Sequence, residues 1–311
     1  MPTLPSITVV TPSYNQGRYV ERTILSVLSQ DYPDLQYIVC DARSTDETPA
    51  ILQRYADQLT AIVEKDAGQS DAVNKGIAKA AGEIIGWLNS DDTYAAGALR
   101  SIGAYFAANP EVDVVYGNAD YIDVDDRFIA DCAHVEPWSH HRLIHYSDFI
   151  VQPACFFRKA AFDAVGGLDV TLHYAMDYDL WLRLAAAGGR FAYLPQKLAH
   201  YRWVGANKSA TGGMDRLSEL RQLGVRHGAG GLPAYCKLEL INLRIGEAAS
   251  LAKAVHPLRA AGKFASATGV LLTSPRGMAS MFRPQVWRTI LIGRKLRAAV
   301  VAGHMMETPR P

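Results

Sequence analysis

Short apolar runs alternate with amphipathic stretches through roughly the first third of the chain. Ile7–Val10, Tyr37–Cys40 and Ile84–Leu88 have the length and composition of buried strands. Between these runs, apolar residues recur at helical spacing over about 19–30 and 70–81. The alternation predicts an α/β fold in which a parallel sheet is built by right-handed crossovers.

Capping and turn residues predict the borders of further elements. Ser44 and Glu47 have the three-residue spacing of a capping box, so a helix is expected to begin at about Thr45. Further along, the pattern predicts a helix over 95–109 and a hairpin over 119–130.

Polar residues follow each predicted strand. The loops 11–17, 41–46 and 89–93 therefore share one edge of the predicted sheet, which is where ligands bind in open α/β folds. Two adjacent carboxylates, Asp91 and Asp92, stand at the end of one strand, and such a pair suits a hard divalent cation bound to phosphate. The alternative is a simple turn, because Asn, Ser and Asp all favour turns.

The glycine-rich loops that bind phosphate in many α/β proteins are absent from this sequence. No Gly-x-Gly-x-x-Gly follows the first predicted strand, and there is no P-loop. A phosphate group at the predicted edge is therefore expected to be held by a cation and by side chains.

Composition narrows the class of protein. Hydrophobic residues make up 49% of the 311 residues, which is enough for one large domain with an appendage. The cysteines, Cys40, Cys132, Cys155 and Cys236, lack zinc-ligand spacing, so a reduced cytoplasmic protein is expected. The sequence also shows neither the pattern of a signal peptide nor an apolar run long enough to cross a membrane.

Four motifs, taken in order, resemble those of glycosyltransferase family 2. They are Thr11-Pro12-Ser13-Tyr14-Asn15, Asp41 with Ser44-Thr45-Asp46, the stretch 66–76, and Asn89-Ser90-Asp91-Asp92. The resemblance extends over about 1–205. It implies the GT-A fold, with a Rossmann-like, mostly parallel sheet flanked by helices, a nucleotide-sugar donor, and a divalent cation, Mn²⁺ or Mg²⁺.

The resemblance also implies a role for individual residues in binding the donor. Thr11, Pro12 and Tyr14 wall the base, and Asp41 hydrogen-bonds the base or its ribose. Asp71 and Asn74 line the donor pocket. The implied donor-binding residues are Thr11, Pro12, Tyr14, Asn15, Asp41, Asp71, Asn74, Lys75 and Asp91.

The resemblance implies that one of the pair, Asp92 in preference to Asp91, contacts the metal directly and that the other contacts ribose or a metal-bound water. The family often has a metal- or diphosphate-binding histidine at the position of Val204, and His200 is the nearby candidate for that role. Arg43 stands where the family often has glycine, and either a phosphate contact or a solvent-exposed position is open for it.

The resemblance further places the catalytic base at Asp177, where an acidic pair precedes an apolar helix. Met176 replaces the usual glutamate, and Asp179 is the competing candidate. A carboxylate there takes the proton of an acceptor hydroxyl. Together with a cation on the leaving diphosphate, this gives a displacement with inversion at the anomeric carbon.

The two ends of the chain differ in charge. Residues 1–200 carry 15 Lys and Arg against 26 Asp and Glu, whereas residues 201–311 carry 17 against 5. The tail over 284–301 combines basic and apolar residues, which predicts a helix on the inner face of an anionic membrane. Packing on the protein or on a second subunit is the alternative, and co-sedimentation with anionic vesicles at low salt separates the two.

The predicted organisation is a catalytic domain over 1–212 and a helical region over 213–311. The catalytic domain has a nucleotide-sugar half over about 1–118 and an acceptor half over about 119–212. Within the acceptor half, the His-rich stretch 132–150 is expected to be a mobile loop.

The predicted function is that of an inverting, metal-dependent glycosyltransferase. A UDP-sugar is the favoured donor, the acceptor is a saccharide or lipid-linked saccharide in surface polysaccharide or glycolipid assembly, and no nucleic acid is involved. A nucleotidyltransferase is the alternative enzyme, although it would need a basic glycine-rich loop after the first strand. A non-catalytic sugar-nucleotide-binding protein is the third alternative.

Overall fold

The structure is a computed structural model. It describes residues 3–132, 134–205, 207–234, 236–237, 239–241 and 243. The basic tail, with its membrane and packing alternatives, lies outside the described residues.

The described strands form one nine-stranded sheet. Their order across the sheet is β3-β2-β1-β4-β8-β6-β9-β5, and β7 pairs with β6 outside this path. The strands are β1 (Ile7–Ser13), β2 (Leu35–Asp41), β3 (Thr60–Val63), β4 (Ile84–Trp87), β5 (Thr93–Tyr94), β6 (Val114–Ile122), β7 (Phe128–Asp131), β8 (Cys155–Arg158) and β9 (Phe191–Arg202).

Helices follow the strands as the sequence pattern predicts. They are α1 (Gly17–Leu28), α2 (Thr48–Arg54), α3 (Gln69–Ala78), α4 (Ala98–Ala108), α5 (His140–His145), α6 (Lys159–Ala164), α7 (Met176–Ala186), α8 (Lys208–Thr211) and α9 (Gly213–Arg226), with one 3₁₀ turn at Gln152–Ala154. None of the helices in the described part of the chain is long and apolar enough to cross a membrane.

The first half of the sheet is parallel, as predicted. β1 pairs in parallel with β2 and β4, and β2 pairs in parallel with β3. The register sets Ser13 opposite Asp41 and Val10 opposite Trp87, so these strands end close together. The polar residues after each strand therefore meet at one edge, and the predicted α/β class is confirmed.

The second half of the sheet is mixed, because β8 runs antiparallel between β4 and β6 while β9 runs parallel to β6. The apolar run Phe191–Leu194 predicts a strand that stops before Pro195, but β9 continues through Pro195 to Arg202. The register shifts between Gly117 and Ala119 let three residues of β9 bulge out, namely Pro195, Gln196 and Leu198. Proline is tolerated at such bulges because it donates no ladder hydrogen bond. The extension brings His200 beside Asp120 of β6.

The chain divides into two compact units. Among the described residues, one unit comprises 3–138 and 150–204, and the other comprises 139–149 and 205–243. In the first unit, apolar residues of β1, α1 and α4, such as Val9, Ile24 and Phe106, belong to one buried cluster.

The second unit holds α5 and α9. The His-rich stretch was expected to be a loop, but part of it forms α5, which is capped by Ser139 accepting a hydrogen bond from the Arg142 amide. In α9, Leu217, Leu220 and Leu223 are buried at helical spacing. The predicted borders at 118 and 212 stay predictions.

Candidate active site

The loop after β2 is held by the Asp41 carboxylate. Asp41 is buried, and its two oxygens accept hydrogen bonds from the hydroxyl and the backbone amide of Ser44. The Ser44 hydroxyl in turn accepts from the Asn15 amide at 2.7 Å, and the Asn15 side chain accepts from the Thr45 amide at 2.9 Å. Asp41 and Asn15, both expected to bind the donor, thus join the loops after β1 and β2.

The predicted capping box at Ser44 is wrong. Helix α2 begins at Thr48, and its N-cap residue Glu47 makes no side-chain capping bond. The reason is that the Ser44 side chain hydrogen-bonds Asp41, so it does not cap the helix.

The three residues expected to wall the base differ in exposure. Tyr14 is 61% exposed, so its ring is available to a ligand. Pro12 is buried in β1, and Thr11 is fully buried with its hydroxyl 3.2 Å from the Tyr37 hydroxyl. The Thr11 side chain is thus part of the core, and its expected contact with the base stays a prediction.

Arg43 lies in the left-handed region of backbone conformation, with φ of 61°. Its side chain is exposed, and this position is one where the family often has glycine. Left-handed backbone suits glycine because it has no Cβ to clash.

We expect Arg43→Gly to raise the free energy of unfolding by up to about 1.6 kcal/mol. The left-handed backbone costs a non-glycine residue about 1–2 kcal/mol, and the greater freedom of glycine in the unfolded chain offsets about 0.4–1 kcal/mol of this. Urea unfolding at 25 °C measures the change. Ala42 is not among the residues with positive φ, so Ala42→Gly is the matched control and should lower the free energy of unfolding. A less stable Arg43→Gly protein would contradict the assignment of strain.

The first turns of α3 form a polar cluster at the same edge. The Asp71 carboxylate accepts from the Ala67 amide at 2.9 Å and pairs with Lys75 at 3.0 Å. Lys75 also pairs with Glu64 at 3.2 Å. The carboxylates of Asp71 and Glu64 thus neutralise the positive charge of Lys75. A narrow depression beside β2 is lined by Cys40, Asp41, Ile62, Glu64, Asp66, Ala72 and Lys75.

Asn74 was expected to line the donor pocket, but its amide binds the protein backbone. Its nitrogen donates to the Leu168 carbonyl and its oxygen accepts from the Leu168 amide, both at 2.9 Å. Asn74 therefore ties α3 to the turn containing Gly167, whose φ is 75°. Its expected place in the donor pocket stays a prediction.

A second polar network holds the end of β4. The Asn89 side-chain oxygen accepts from Gln69 at 2.7 Å and from the Trp87 indole at 3.0 Å. Its nitrogen donates to the Gln152 side chain at 2.9 Å, and it lies 3.5 Å from Asp92. Gln152 also donates to the Trp87 carbonyl. The sequence analysis did not predict that Gln69 and Gln152 hold Asn89, because no local pattern marks either residue as its hydrogen-bond partner.

The two carboxylates after β4 differ in exposure. Asp92 is 1% exposed, and its Oδ1 accepts the Arg202 backbone amide at 2.8 Å, whereas Asp91 is half-buried. The Thr23 hydroxyl donates to the carbonyls of Ser90 and Asp92, which fixes the loop to α1. Burial raises the pKa of Asp91, and burial together with the charge of Asp91 raises the pKa of Asp92 well above its usual value.

A divalent cation fits this pair. Carboxylate oxygens are the ligands that Mg²⁺ and Mn²⁺ prefer, and a bound cation relieves the repulsion that raises the pKa of Asp92. Among the described residues, no group of three His, Cys, Asp or Glu side chains is arranged to hold a metal. Asp91 and Asp92 would therefore need other oxygen ligands to complete a site.

His200 was expected to complete a metal site with Asp91 and Asp92. Among the described residues, these three side chains do not form a group that could hold one metal ion. The His200 imidazole instead lies 3.6 Å from the buried Asp120 carboxylate, which also pairs with Lys197. Burial lowers the pKa of His200, and the Asp120 charge opposes that effect.

The two acidic residues that begin α7 have different environments. Asp179 is fully buried and accepts from the Arg183 guanidinium at 2.7 Å, and Arg183 also donates to the Val165 carbonyl at 2.7 Å. Asp177 is half-buried and accepts from the Tyr178 amide at 2.8 Å. Asp177 is thus the more accessible carboxylate of the two, which favours it over Asp179 as a base.

The sequence profile described as Glycosyl transferase family 2 matches residues 8–165. An uncharacterized glycosyltransferase of Rickettsia prowazekii is 28% identical over 191 residues, which are 58% of this chain and 58% of that protein. A chondroitin synthase of Escherichia coli is 29% identical over 188 residues, 60% of this chain and 27% of that protein. The match thus spans 58% of the length of the first curated relatives.

Two solved structures are similar in fold to this chain. Staphylococcus aureus TarS, residues 1–349 in complex with UDP, superposes with a TM-score of 0.58 at 19% identity, covering 98% of this chain and 93% of that one. The mannosyltransferase PcManGT of Pyrobaculum calidifontis, in complex with GDP-Man and Mn²⁺, gives 0.59 at 20% identity, covering 99% and 90%. This likeness confirms the predicted GT-A fold.

Proposed function

Because the chain belongs to glycosyltransferase family 2, we propose that it moves a sugar from a nucleoside diphosphate sugar to a hydroxyl group of a saccharide or lipid-linked saccharide. One relative is named chondroitin synthase, and chondroitin is a polysaccharide. This name supports a role in polysaccharide or glycolipid assembly. The earlier expectation of a glycosyltransferase is confirmed at the level of the family.

The observation that carries the proposal is the anchored carboxylate pair. Asp92 is buried at the end of β4 with one oxygen bound by the Arg202 amide, and Asp91 stands beside it, partly exposed. Burial and the charge of Asp91 raise the pKa of Asp92 although the Arg202 charge opposes this effect, so the pair favours a further positive charge. We therefore propose that Asp91 and Asp92 hold a divalent cation that is also bound by the donor diphosphate.

A cation held by Asp91 and Asp92 would neutralise the charge on the departing nucleoside diphosphate. The chain's own residues supply the rest. Asp177 takes the proton of the acceptor hydroxyl while that oxygen attacks the anomeric carbon. The attack and the departure of the diphosphate occur on opposite faces of the sugar, so the product is inverted.

The exposed Tyr14 ring is proposed to stack on the nucleotide base. Aromatic rings offer a large flat surface for such stacking at low entropic cost. Two of the similar structures hold UDP and GDP-Man respectively, so both uridine and guanosine donors are candidates. We propose a UDP-sugar as the first donor to test.

A thermal-shift screen of nucleoside diphosphates tests the proposal. A ligand that binds the native state raises the melting temperature, by an amount corresponding to about 2.7 kcal/mol at 100 times its Kd. We expect UDP or another nucleoside diphosphate to raise it with Mn²⁺ or Mg²⁺, and to have little effect with excess chelator. The proposal is wrong if no nucleoside diphosphate shifts the melting temperature with either cation.

A further inference from the structure

Arg202, near the end of β9, is a completely buried cation that contacts both residues of the carboxylate pair. Its guanidinium Nε donates to the Asp91 carbonyl at 2.7 Å. Its backbone amide donates to the Asp92 carboxylate at 2.8 Å. One residue therefore fixes the backbone of Asp91 and the side chain of Asp92.

The other side of the Arg202 guanidinium contacts the turn between β6 and β7. It donates to the Asp123 carbonyl at 2.7 Å and forms an ion pair with Asp126. The Tyr19 ring centroid lies 5.1 Å from the guanidinium carbon. Arg22 also pairs with Asp126, at 2.8 Å, so the turn is held from two directions. The Asp91–Asp92 loop is thus tied through Arg202 to a hairpin that is distant in sequence.

We propose that Arg202 is a positioning residue that holds Asp91 and Asp92 ready to receive a divalent cation, using the β6–β7 turn as its support. This inference rests on the proposed function. The Arg202 side chain is fully buried, so it acts through the two carboxylate residues. Groups that orient metal ligands typically contribute 10- to 100-fold to metal affinity, because the ligands need not be ordered when the metal binds.

Another arginine of the same unit provides a matched control. Arg158 donates to the Val112 carbonyl at 2.7 Å, pairs with Glu83 and lies 5.1 Å from the Phe106 ring centroid. It therefore makes the same kinds of contact as Arg202. In the sheet, Arg158 of β8 lies opposite Ile84 at the start of β4. It is therefore away from the carboxylates that follow the end of that strand.

The test compares Arg202→Lys with Arg158→Lys in a Mn²⁺ titration of UDP binding. Lysine keeps the charge but cannot reproduce the several directed hydrogen bonds of a guanidinium. We expect both variants to melt at lower temperature than wild type. Only Arg202→Lys should require about 10- to 100-fold more Mn²⁺ for half-maximal UDP binding, and saturating Mn²⁺ should restore that binding.

The inference is overturned if folded Arg202→Lys needs no more Mn²⁺ than Arg158→Lys, or if excess Mn²⁺ fails to restore UDP binding. A second pair keeps the test decisive if Arg202→Lys does not fold. Asp126→Asn removes the charge that Arg202 pairs with, whereas Asp125→Asn changes an exposed neighbour that pairs with Arg127. Asp126→Asn should raise the Mn²⁺ requirement and Asp125→Asn should not; an equal requirement in both also overturns the inference.

Hydrogen exchange separates this inference from the proposed function. The Asp92 amide donates to the Asn89 carbonyl at 3.1 Å and reports on the order of the loop without any ligand. It should exchange faster in Arg202→Lys, or in Asp126→Asn, than in the matched control. If wild-type protein binds no nucleoside diphosphate with Mn²⁺ while this exchange still rises, the proposed function fails and the positioning of the loop by Arg202 stands. Unchanged exchange overturns the positioning role itself.

Discussion

Asp177→Asn is expected to lower sugar transfer by about 10²-fold or more, which is the scale of general base catalysis. Asparagine is nearly the same size as aspartate, but it cannot accept the proton of the acceptor hydroxyl. Because Asp177 is half-buried and makes a local hydrogen bond to the Tyr178 amide, the fold and the binding of the donor should be nearly unchanged. Single-turnover transfer with saturating donor, alongside equilibrium nucleotide binding, measures the two effects separately.

Two controls test whether Asp177 acts as a base. Asp215 also lies in the first turn of a helix, α9, and it is exposed, so Asp215→Asn should change neither transfer nor binding appreciably. Asp179→Asn leaves Arg183 without its buried charged partner and should mainly lower stability. If Asp179→Asn stays folded and loses transfer while Asp177→Asn remains active, the base is Asp179.

Asp92→Asn is expected to abolish cation-dependent nucleotide binding and to reduce transfer by about 10²-fold or more, since a bound metal is worth several kcal/mol in such reactions. The amide oxygen of asparagine can still accept the Arg202 backbone amide, so the loop keeps its main anchor. Thermal shift with UDP and Mn²⁺, compared with UDP alone, measures the loss. Full transfer by the wild-type protein in excess chelator would contradict the proposed role of the cation.

Asparagine is a better test than alanine at this position. Asp92→Ala would leave the buried Arg202 amide without its acceptor, which costs about 1–3 kcal/mol, so lost activity would be mixed with lost stability. Asp131→Asn on the exposed edge of β7 is the matched control for removing a carboxylate. We expect it to leave nucleotide binding unchanged, and an equal loss in both variants would indicate a general effect of charge.

The predicted parallel half of the sheet was confirmed because its signals are local. Strands such as Ile84–Trp87 are short apolar runs, and the helices between them show apolar residues on one face. The mixed half was harder to predict, because the continuation of β9 through Pro195 depends on a bulge against β6.

The hydrogen-bond partners of polar side chains were hard to predict for a different reason. Ser44 has the spacing of a helix cap, but its hydroxyl bonds Asp41. Asn74 belongs to a donor-binding motif, but its amide bonds the Leu168 backbone. Thr11 follows an apolar run and was expected near the ligand, yet its side chain faces Tyr37 in the core. Each polar side chain had more than one potential partner, and the sequence pattern does not rank partners.

By itself, the amino-acid sequence determined the α/β alternation, the edge where polar residues gather and the family resemblance, since all three depend on neighbouring residues. Only the tertiary structure decided which polar side chains remain exposed there and which bind other parts of the protein. Asn89, Asn74 and Asp92 find partners 63, 94 and 110 positions away. Burial removes water as a competing partner, so these distant contacts decide which carboxylates and amides remain accessible to a ligand.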